Sequence, residues 1–569
     1  MARTRRAARG LARLFRTLDL WGAVVALVFF VLTLTPSLLP RTWFYQGIIG
    51  GWAAGIGYLV GLALRWVYRR YLHRLHPLAN PDTWPPRVAR WVARCVIAVG
   101  ALWALVMVWW SHRWQVTLAD LAEQTRPSYL DVVLVLPLAI ASFTVYLLII
   151  RFLVWAADTA QAIGPRRVRP RVRSVSAWVL VLLAWFWFVS NAVPGAIVGL
   201  GEKFFTEQNK DPDPAVTAPT APERSGSPDS AVDFGGVGFY GSRFVAGGAS
   251  ASELTAATGK PAKEPIRVYA GLGNAADTAE RADLLISELE RTHAHDRKAL
   301  LFLMTTGTGW VSDYATQSFE LLYGGDTAIA AGQYSAMPSA LHFLAGGDQV
   351  RAAGQELLGP LITWWNELPE DHRPKLYLYG ESLGTTGVEA AFSGLRDVVN
   401  SVDGILLTGP PHFNSLRTQF VTRRDPGSTE TAPVYADGLV VRFANDEEHV
   451  RQWATTRDPG WGPARMLYVQ HTSDPVAWWS FDMILREPDW LSEPAPPGHE
   501  REMTWMPFVS FLQVSADLPV AAQAPIGYGH NYGDSVLAGF AAIGDVDLTP
   551  ARLTELENQL VSIRGDNPK

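Results

Sequence analysis

The chain has a single cysteine, Cys95, so no disulfide can form within it. Cys95 sits in an apolar run with no acid–base partner close by, which reads as a thiol buried in a membrane helix and not as a nucleophile. The lack of disulfides does not assign a reducing compartment, because exported bacterial chains often have none. Charge is scarce inside the apolar runs of the first 200 residues, where Asp19, Asp131 and Arg151 stand near the ends of theirs. A proton relay or ion path normally needs several intramembrane charges, and no internal repeat of the transporter kind is visible. Both absences favour an anchor or lipid-contacting platform over a transporter. A phosphate-binding loop is missing too: the glycine-rich residues 305–310 lack the lysine and the spacing.

What is present divides into two unlike halves, so the formal net charge of −5 says little. At 569 residues the chain exceeds one ordinary domain. Five apolar runs lie at about 20–39, 44–64, 91–110, 130–154 and 177–200, each near the roughly 20 residues that cross a bilayer core. The first is read as a retained span and not a signal peptide, because Pro36-Ser-Leu-Leu-Pro40-Arg41 follows it where a cleavage site would stand. Arginines alternate between the links. The N-terminus carries Arg3, Arg5, Arg6, Arg9, Arg13 and Arg16. The second link and the start of the third span carry Arg65, Arg69, Arg70, Arg74, Arg87, Arg90 and Arg94. The fourth link carries Arg166, Arg167, Arg169, Arg171 and Arg173. The other two links hold Arg41 alone, or Arg113 and Arg126. The positive-inside rule then puts the N-terminus in the cytoplasm, and five spans put everything after residue 200 outside it. That alternation, with an acidic second half, leaves no reason to expect nucleic acid.

The expected organisation is therefore a five-span membrane domain over 1–204, a Pro/Ser/Asp-rich disordered linker over 205–233, and an extracytoplasmic catalytic domain over 234–569. In the last, apolar strands at 266–270, 299–304, 327–331, 375–379, 402–408 and 466–470 alternate with helical patterns. This predicts a mostly parallel sheet covered by helices on both faces, with the active site at the carboxyl ends of its strands.

Lys375-Leu-Tyr-Leu-Tyr-Gly-Glu-Ser382-Leu-Gly384 runs from a strand into Gly-x-Ser-x-Gly, with a helix expected over 388–395. Strand, Gly-x-Ser-x-Gly, helix is the nucleophile-elbow pattern, in which a sharp turn exposes the serine hydroxyl. A serine needs a base, and the base a carboxylate, in the chain order Ser, Asp, His for this fold class. Asp474, just past the strand at 466–470, is preferred as the acid over Asp446 and Asp482. His530, glycine-flanked in Gly527-Tyr-Gly-His-Asn-Tyr-Gly533, is preferred as the base over His499 and over His471, which precedes the acid. The oxyanion hole calls for the Leu383 amide and one amide from Gly307, Thr308 or Gly309. This chemistry asks for no cofactor or metal. The segments 409–465 and 478–490, rich in polar and aromatic residues, fit a lid or lipid-docking face and an ordinary core equally well.

Several motifs in one order are similar to a bacterial family: Leu34-Thr-Pro-Ser-Leu-Leu-Pro-Arg41, Glu264-Pro-Ile-Arg-Val-Tyr269, Thr306-Gly-Thr-Gly-Trp310, Gly380-Glu-Ser-Leu-Gly384, Arg424-Asp-Pro-Gly427, Gln470-His-Thr-Ser-Asp-Pro475 with Trp478-Trp479, and Gly529-His-Asn-Tyr532. That family pairs a five-helix membrane domain with an extracytoplasmic α/β-hydrolase domain, is common in high-GC Gram-positive bacteria, and was long described only as a domain of unknown function. The resemblance implies a Ser-Asp-His hydrolase at the membrane's outer face, and the membrane half points to a lipid or cell-envelope ester as its substrate. Some similar proteins cleave aminoacyl esters of phosphatidylglycerol. An acyltransferase on the same triad, and a non-catalytic scaffold or lipid-transport component, are the alternatives.

Overall fold

The structure, a computed structural model, describes residues 18–72, 85–165, 167–344, 347–456, 458–499 and 501–564. Arginines 3–16, Arg74 and Arg166 lie outside the described residues. The chain forms two compact units. One comprises residues 1–187 together with 481–492 and 500–520. The other comprises 188–480, 493–499 and 521–569.

The first unit is a multi-pass helical membrane region. Its helices are α1 (Leu20–Thr33), α2 (Trp43–Val67), α3 (Pro86–Leu121), α4 (Tyr129–Ile163) and α5 (Pro170–Trp187). Among the described residues, four helical stretches are long and apolar enough to cross a bilayer: Trp43–Tyr71, Arg90–Leu121, Tyr129–Ile163 and Pro170–Ala192. The expected fifth span is shorter than the apolar run suggested. Helix α1 has 14 residues, about 21 Å at 1.5 Å per residue, against a hydrocarbon core of about 30 Å. It stops because Pro36 and Pro40 cannot donate to a helical ladder, and Leu34, Leu38 and Leu39 are buried in a loop instead. Small residues let α1 and α2 touch: a Cβ on Gly61 would stand 2.6 Å from the Trp21 carbonyl oxygen.

The second unit is a seven-stranded, fully parallel sheet of order β1-β3-β2-β4-β5-β7-β6. Its strands are β1 (Ile266–Ala270), β2 (Ala299–Met304), β3 (Thr327–Gly332), β4 (Lys375–Glu381), β5 (Gly404–Thr408), β6 (Val441–Ala444) and β7 (Arg465–Val469). Every residue of β1, β2, β3, β5 and β7 is buried, as expected when helices cover both faces. β4 is central, so its carboxyl end is ringed by the loops that follow β2, β3, β5 and β7.

Two expectations are corrected in this unit. The long insertion after β5 contains strand β6 and the helix Glu447–Thr455. The supposed disordered linker over 205–233 is ordered, its first four residues closing the helix Val193–Gln208. Its backbone bonds to the free edge of β1, with Arg267 N–H donating to the Glu223 carbonyl (3.1 Å) and Ser225 N–H to that of Arg267 (3.0 Å). Glu288 then accepts from Ser225 Oγ (2.9 Å), Ser230 Oγ (2.8 Å) and the Ala231 amide (2.9 Å). A polar, proline-rich stretch has no apolar core of its own, but it satisfies an exposed strand edge well.

Candidate active site

Strand β4 runs straight into the turn at Ser382, and the helix Leu383–Ala390 starts at the next residue, earlier than the sequence pattern placed it. Ser382 has φ 54° and ψ −126°, a region that non-glycine residues enter only when the surroundings hold them there. The flanking glycines permit the turn. A Cβ on Gly380 would lie 2.7 Å from Gly384 C and Thr385 N, and one on Gly384 would lie 2.8 Å from the Met304 carbonyl oxygen of β2. The Ser382 amide donates to the Thr408 carbonyl at the end of β5 (2.9 Å), which fixes the turn against the neighbouring strand. The serine is half-buried at the carboxyl edge of the sheet.

Asp474 and His530 come together as the chain order predicted. Asp474, five residues beyond β7, is fully buried and accepts the Val476 amide on Oδ1 (2.8 Å). On Oδ2 it accepts His530 Nδ1–H (2.7 Å) and the Tyr532 hydroxyl (2.7 Å). With its Nδ1 proton pointed at the carboxylate, the imidazole leaves a lone pair on Nε2. That atom is buried and has no hydrogen-bond partner among the described residues. Burial alone would lower the His530 pKa, but the charge and hydrogen bond of Asp474, helped by the charge of Glu381, overcome it and hold the pKa above the ordinary 6.5. The structure thus contains an oriented imidazole with a free acceptor nitrogen, and no hydrogen bond joins it to Ser382. Such bonds often tighten only when substrate binds.

Two residues to which the sequence reading gave no role place the imidazole. Gly409, directly after β5, has φ 61°, and a Cβ there would stand 2.5 Å from His530 Cε1 and 2.9 Å from Nδ1. The ring therefore occupies the space that glycine leaves open, one residue from the carbonyl that receives the Ser382 amide. Tyr532 holds the acid and is itself held: its hydroxyl accepts the His471 amide (3.0 Å), and its ring stacks on the His471 imidazole at 4.0 Å and 14°. His471 donates Nδ1–H to the Gly529 carbonyl (2.9 Å), and burial pushes its pKa down to about 4. It is a neutral brace for the His530 loop and not a base. Gly409→Ala should lower kcat/KM by about 10–100-fold, because an ångström of misplacement can cost about that much, and should lower stability by about 1–2 kcal/mol through the left-handed backbone. Ester turnover and thermal denaturation of the purified variant check both.

The expected oxyanion donors are partly narrowed. Leu383 opens its helix, so its amide has no intrahelical acceptor. β2 pairs with β4 so that Met304 faces Gly380, which brings residues 305–310 beside the serine. Within that loop the Gly309 amide already donates to the Thr306 carbonyl (2.9 Å), which removes it from the expected range. The Gly307 amide makes only a long bond to Ser339 Oγ (3.4 Å), and Thr308 remains in the range as well. The rival acids are elsewhere. Asp446 caps the helix after edge strand β6 and binds His449 Nδ1 (2.7 Å) and His499 Nε2 (2.8 Å), while Asp482 lies in the membrane unit. Of the aromatic segments, Trp478 and Trp490 are buried core, and Phe343 clusters with Phe413 and Trp479 at ring distances of 5.4 and 5.5 Å. Among the described residues, His293, His295 and Asp296 bring ligand atoms within 4.8 Å of one another. They precede β2 and so lie at the opposite edge of the sheet from Ser382.

A parallel sheet with a strand–serine–helix turn at its centre, and an Asp–His pair on the loops beyond, is the architecture of an α/β-hydrolase. Residues 266–556 match an alpha/beta-hydrolase family, and residues 34–249 match the N-terminal region of that family; the chain belongs to it. No curated protein and no solved structure matches the chain.

Proposed function

We propose that the protein is a membrane-anchored serine hydrolase that cleaves an ester in a membrane lipid or cell-envelope substrate, with Ser382, His530 and Asp474 as its triad. The reading rests above all on one observation: His530 is held by Asp474 with its Nε2 lone pair free, packed on the glycine that adjoins the carbonyl receiving the Ser382 amide. Ser382 Oγ attacks the ester carbonyl and its proton passes to His530 Nε2. The Leu383 amide and one from Gly307 or Thr308 receive the oxyanion. Collapse breaks the ester C–O bond, and His530 returns the proton to the leaving alcohol. Water then attacks the acyl-enzyme by the same route and releases the acid.

The membrane region supports a lipid or envelope substrate, because anchoring raises the local concentration of substrate at the site. The arginine alternation favours a cytoplasmic N-terminus and an extracytoplasmic hydrolase unit, with α1 and the buried loop after it counted as one crossing. Aminoacyl esters of phosphatidylglycerol are one candidate substrate, suggested by the family resemblance alone. Lipid extracts of cells expressing the wild type or Ser382→Ala test this. The variant is expected to accumulate the aminoacyl lipid at least several-fold. Identical aminoacyl-lipid levels would reject that substrate, and transfer to an added alcohol in place of free acid would make the protein an acyltransferase.

A further inference from the structure

The motif Leu34-Thr-Pro-Ser-Leu-Leu-Pro-Arg41 plays no part in the chemistry above, yet it is among the most deeply buried polar stretches of the membrane unit. Ser37 and Arg41 are 5% exposed. The loop between α1 and α2 is closed by two prolines, which supply no amide of their own. The amides and hydroxyls between them need an acceptor from elsewhere, since buried backbone donors do not stay unpaired cheaply.

Asp517 is that acceptor. Its carboxylate receives Ser37 Oγ (3.0 Å) and the Leu38 amide (3.1 Å), with Arg41 Nε 3.7 Å away. Gln513, one turn earlier on the same helix (Val509–Asp517), donates Nε2 to the Thr35 carbonyl (3.0 Å) and lies 3.1 Å from Thr35 Oγ1. Residues four apart share a helix face, so this helix reads the loop with two side chains. Arg41 is fixed in turn, donating Nη2 to the Thr35 carbonyl (2.8 Å) and its amide to Gln115 Oε1 (2.6 Å). Burial pushes the Asp517 carboxyl up to about 7, against the attraction of Arg41 and the loop donors. A buried ion pair is weak as stabilising glue, and apolar packing of the same volume often does as well. The plainer use of such a pair is to select one register.

Its place in the chain says what that register controls. Asp517 lies between the acid Asp474 and the base His530, in a segment (500–520) that belongs to the membrane unit. The chain leaves that unit at Val520. The next residue, Ala521, accepts the His530 amide on its carbonyl (3.0 Å). We infer that the 34–41 loop is a carboxylate receptor through which the membrane unit fixes the departure point of the His530 loop, which makes Asp517 and Arg41 positioning residues for the base. The membrane region is then a working part of the hydrolase and not only its tether. The catalytic consequence rests on the triad reading; the docking itself does not.

The test uses the full chain in lipid nanodiscs, with wild type, Asp517→Asn, Arg41→Met, the double variant, and the milder Ser37→Ala. Hydrogen exchange is read over 509–532, and kcat and KM are read with a short-chain soluble ester. Asp517→Asn is expected to speed exchange over 521–532 by about 10-fold or more and to lower kcat by a similar factor with KM nearly unchanged. Ser37→Ala should move both the same way by less. The double variant should recover part of the protection, because it removes the arginine left unpaired. Unchanged exchange and kcat in Asp517→Asn would overturn the proposal, and so would exchange that rises uniformly over both units in all variants. If the wild type hydrolyses no ester, the triad reading fails while the exchange arm still decides the docking.

Discussion

Replacing Ser382 with alanine is expected to lower kcat for a soluble ester by about 10⁴–10⁶-fold, the range seen when a triad nucleophile is removed. The residue stands where three independent features converge: the end of the central strand, a strained turn, and the loops that carry Asp474 and His530. Its side chain supports nothing else in the resting fold, since no hydrogen bond is formed by the hydroxyl among the described residues, so the thermal midpoint of the alanine variant should be close to wild type. Ser382→Gly sharpens the point. A glycine accepts φ 54° without the penalty other residues incur, so this variant should be as inactive as alanine yet more stable by about 1 kcal/mol. An inactive but stabilised protein is what a strained nucleophile predicts. A serine of merely structural importance predicts loss of both. Turnover of a chromogenic ester, fluorophosphonate labelling and thermal denaturation of the same three preparations decide it, and retained turnover in Ser382→Ala would sink the assignment.

The sheet was legible in the sequence because its strands are short, continuous apolar runs buried on both faces. Strands β1 and β2 fall where the pattern put them, and β3, β4, β5 and β7 within two residues. β6 escaped for a physical reason: it has four residues, pairs on one side only, and carries the half-exposed Arg442 in its middle. Residues 209–233 look disordered because order there comes from a strand edge and from Glu288, neither of which is local. The apolar run from residue 20 overstated the first helix, since hydropathy counts Leu38 and Leu39 as spanning when prolines on either side have already turned the chain. The turn at Ser382 was legible from its motif, and the pairing of Asp474 with His530 from chain order. Gly409 and Tyr532 were not, because what they do depends on an imidazole more than 100 residues away in one case and a carboxylate 58 residues away in the other. The assignment of 481–492 and 500–520 to the membrane unit has no compositional mark at all.

Asp474→Asn should be nearly as damaging as loss of the serine, lowering kcat/KM by about 10⁴-fold, and its cause can be separated from simple misfolding. In the wild type one carboxylate oxygen accepts from both His530 Nδ1 and the Tyr532 hydroxyl. An asparagine offers one acceptor oxygen and one NH₂ group. If the oxygen stays with the Val476 amide, the NH₂ group takes the place of Oδ2 and faces both His530 and the Tyr532 hydroxyl, so Nδ1 must accept. The proton then sits on Nε2, the atom that has to take one from Ser382. The second signature is in the pH profile. Burial lowers the His530 pKa and Asp474 raises it, with the net result above 6.5. The base works only when neutral, so wild-type kcat/KM should fall as pH drops through an acid limb centred above 6.5. Without the carboxylate only the lowering influence of burial and the weaker charge of Glu381 remain, and the limb of the residual activity should move to lower pH. Profiles from about pH 5 to 9 on both proteins, with circular dichroism to show that each is folded, measure the shift. A limb that stays where it is in Asp474→Asn would mean that another group orients the imidazole, and the triad would have to be redrawn around it.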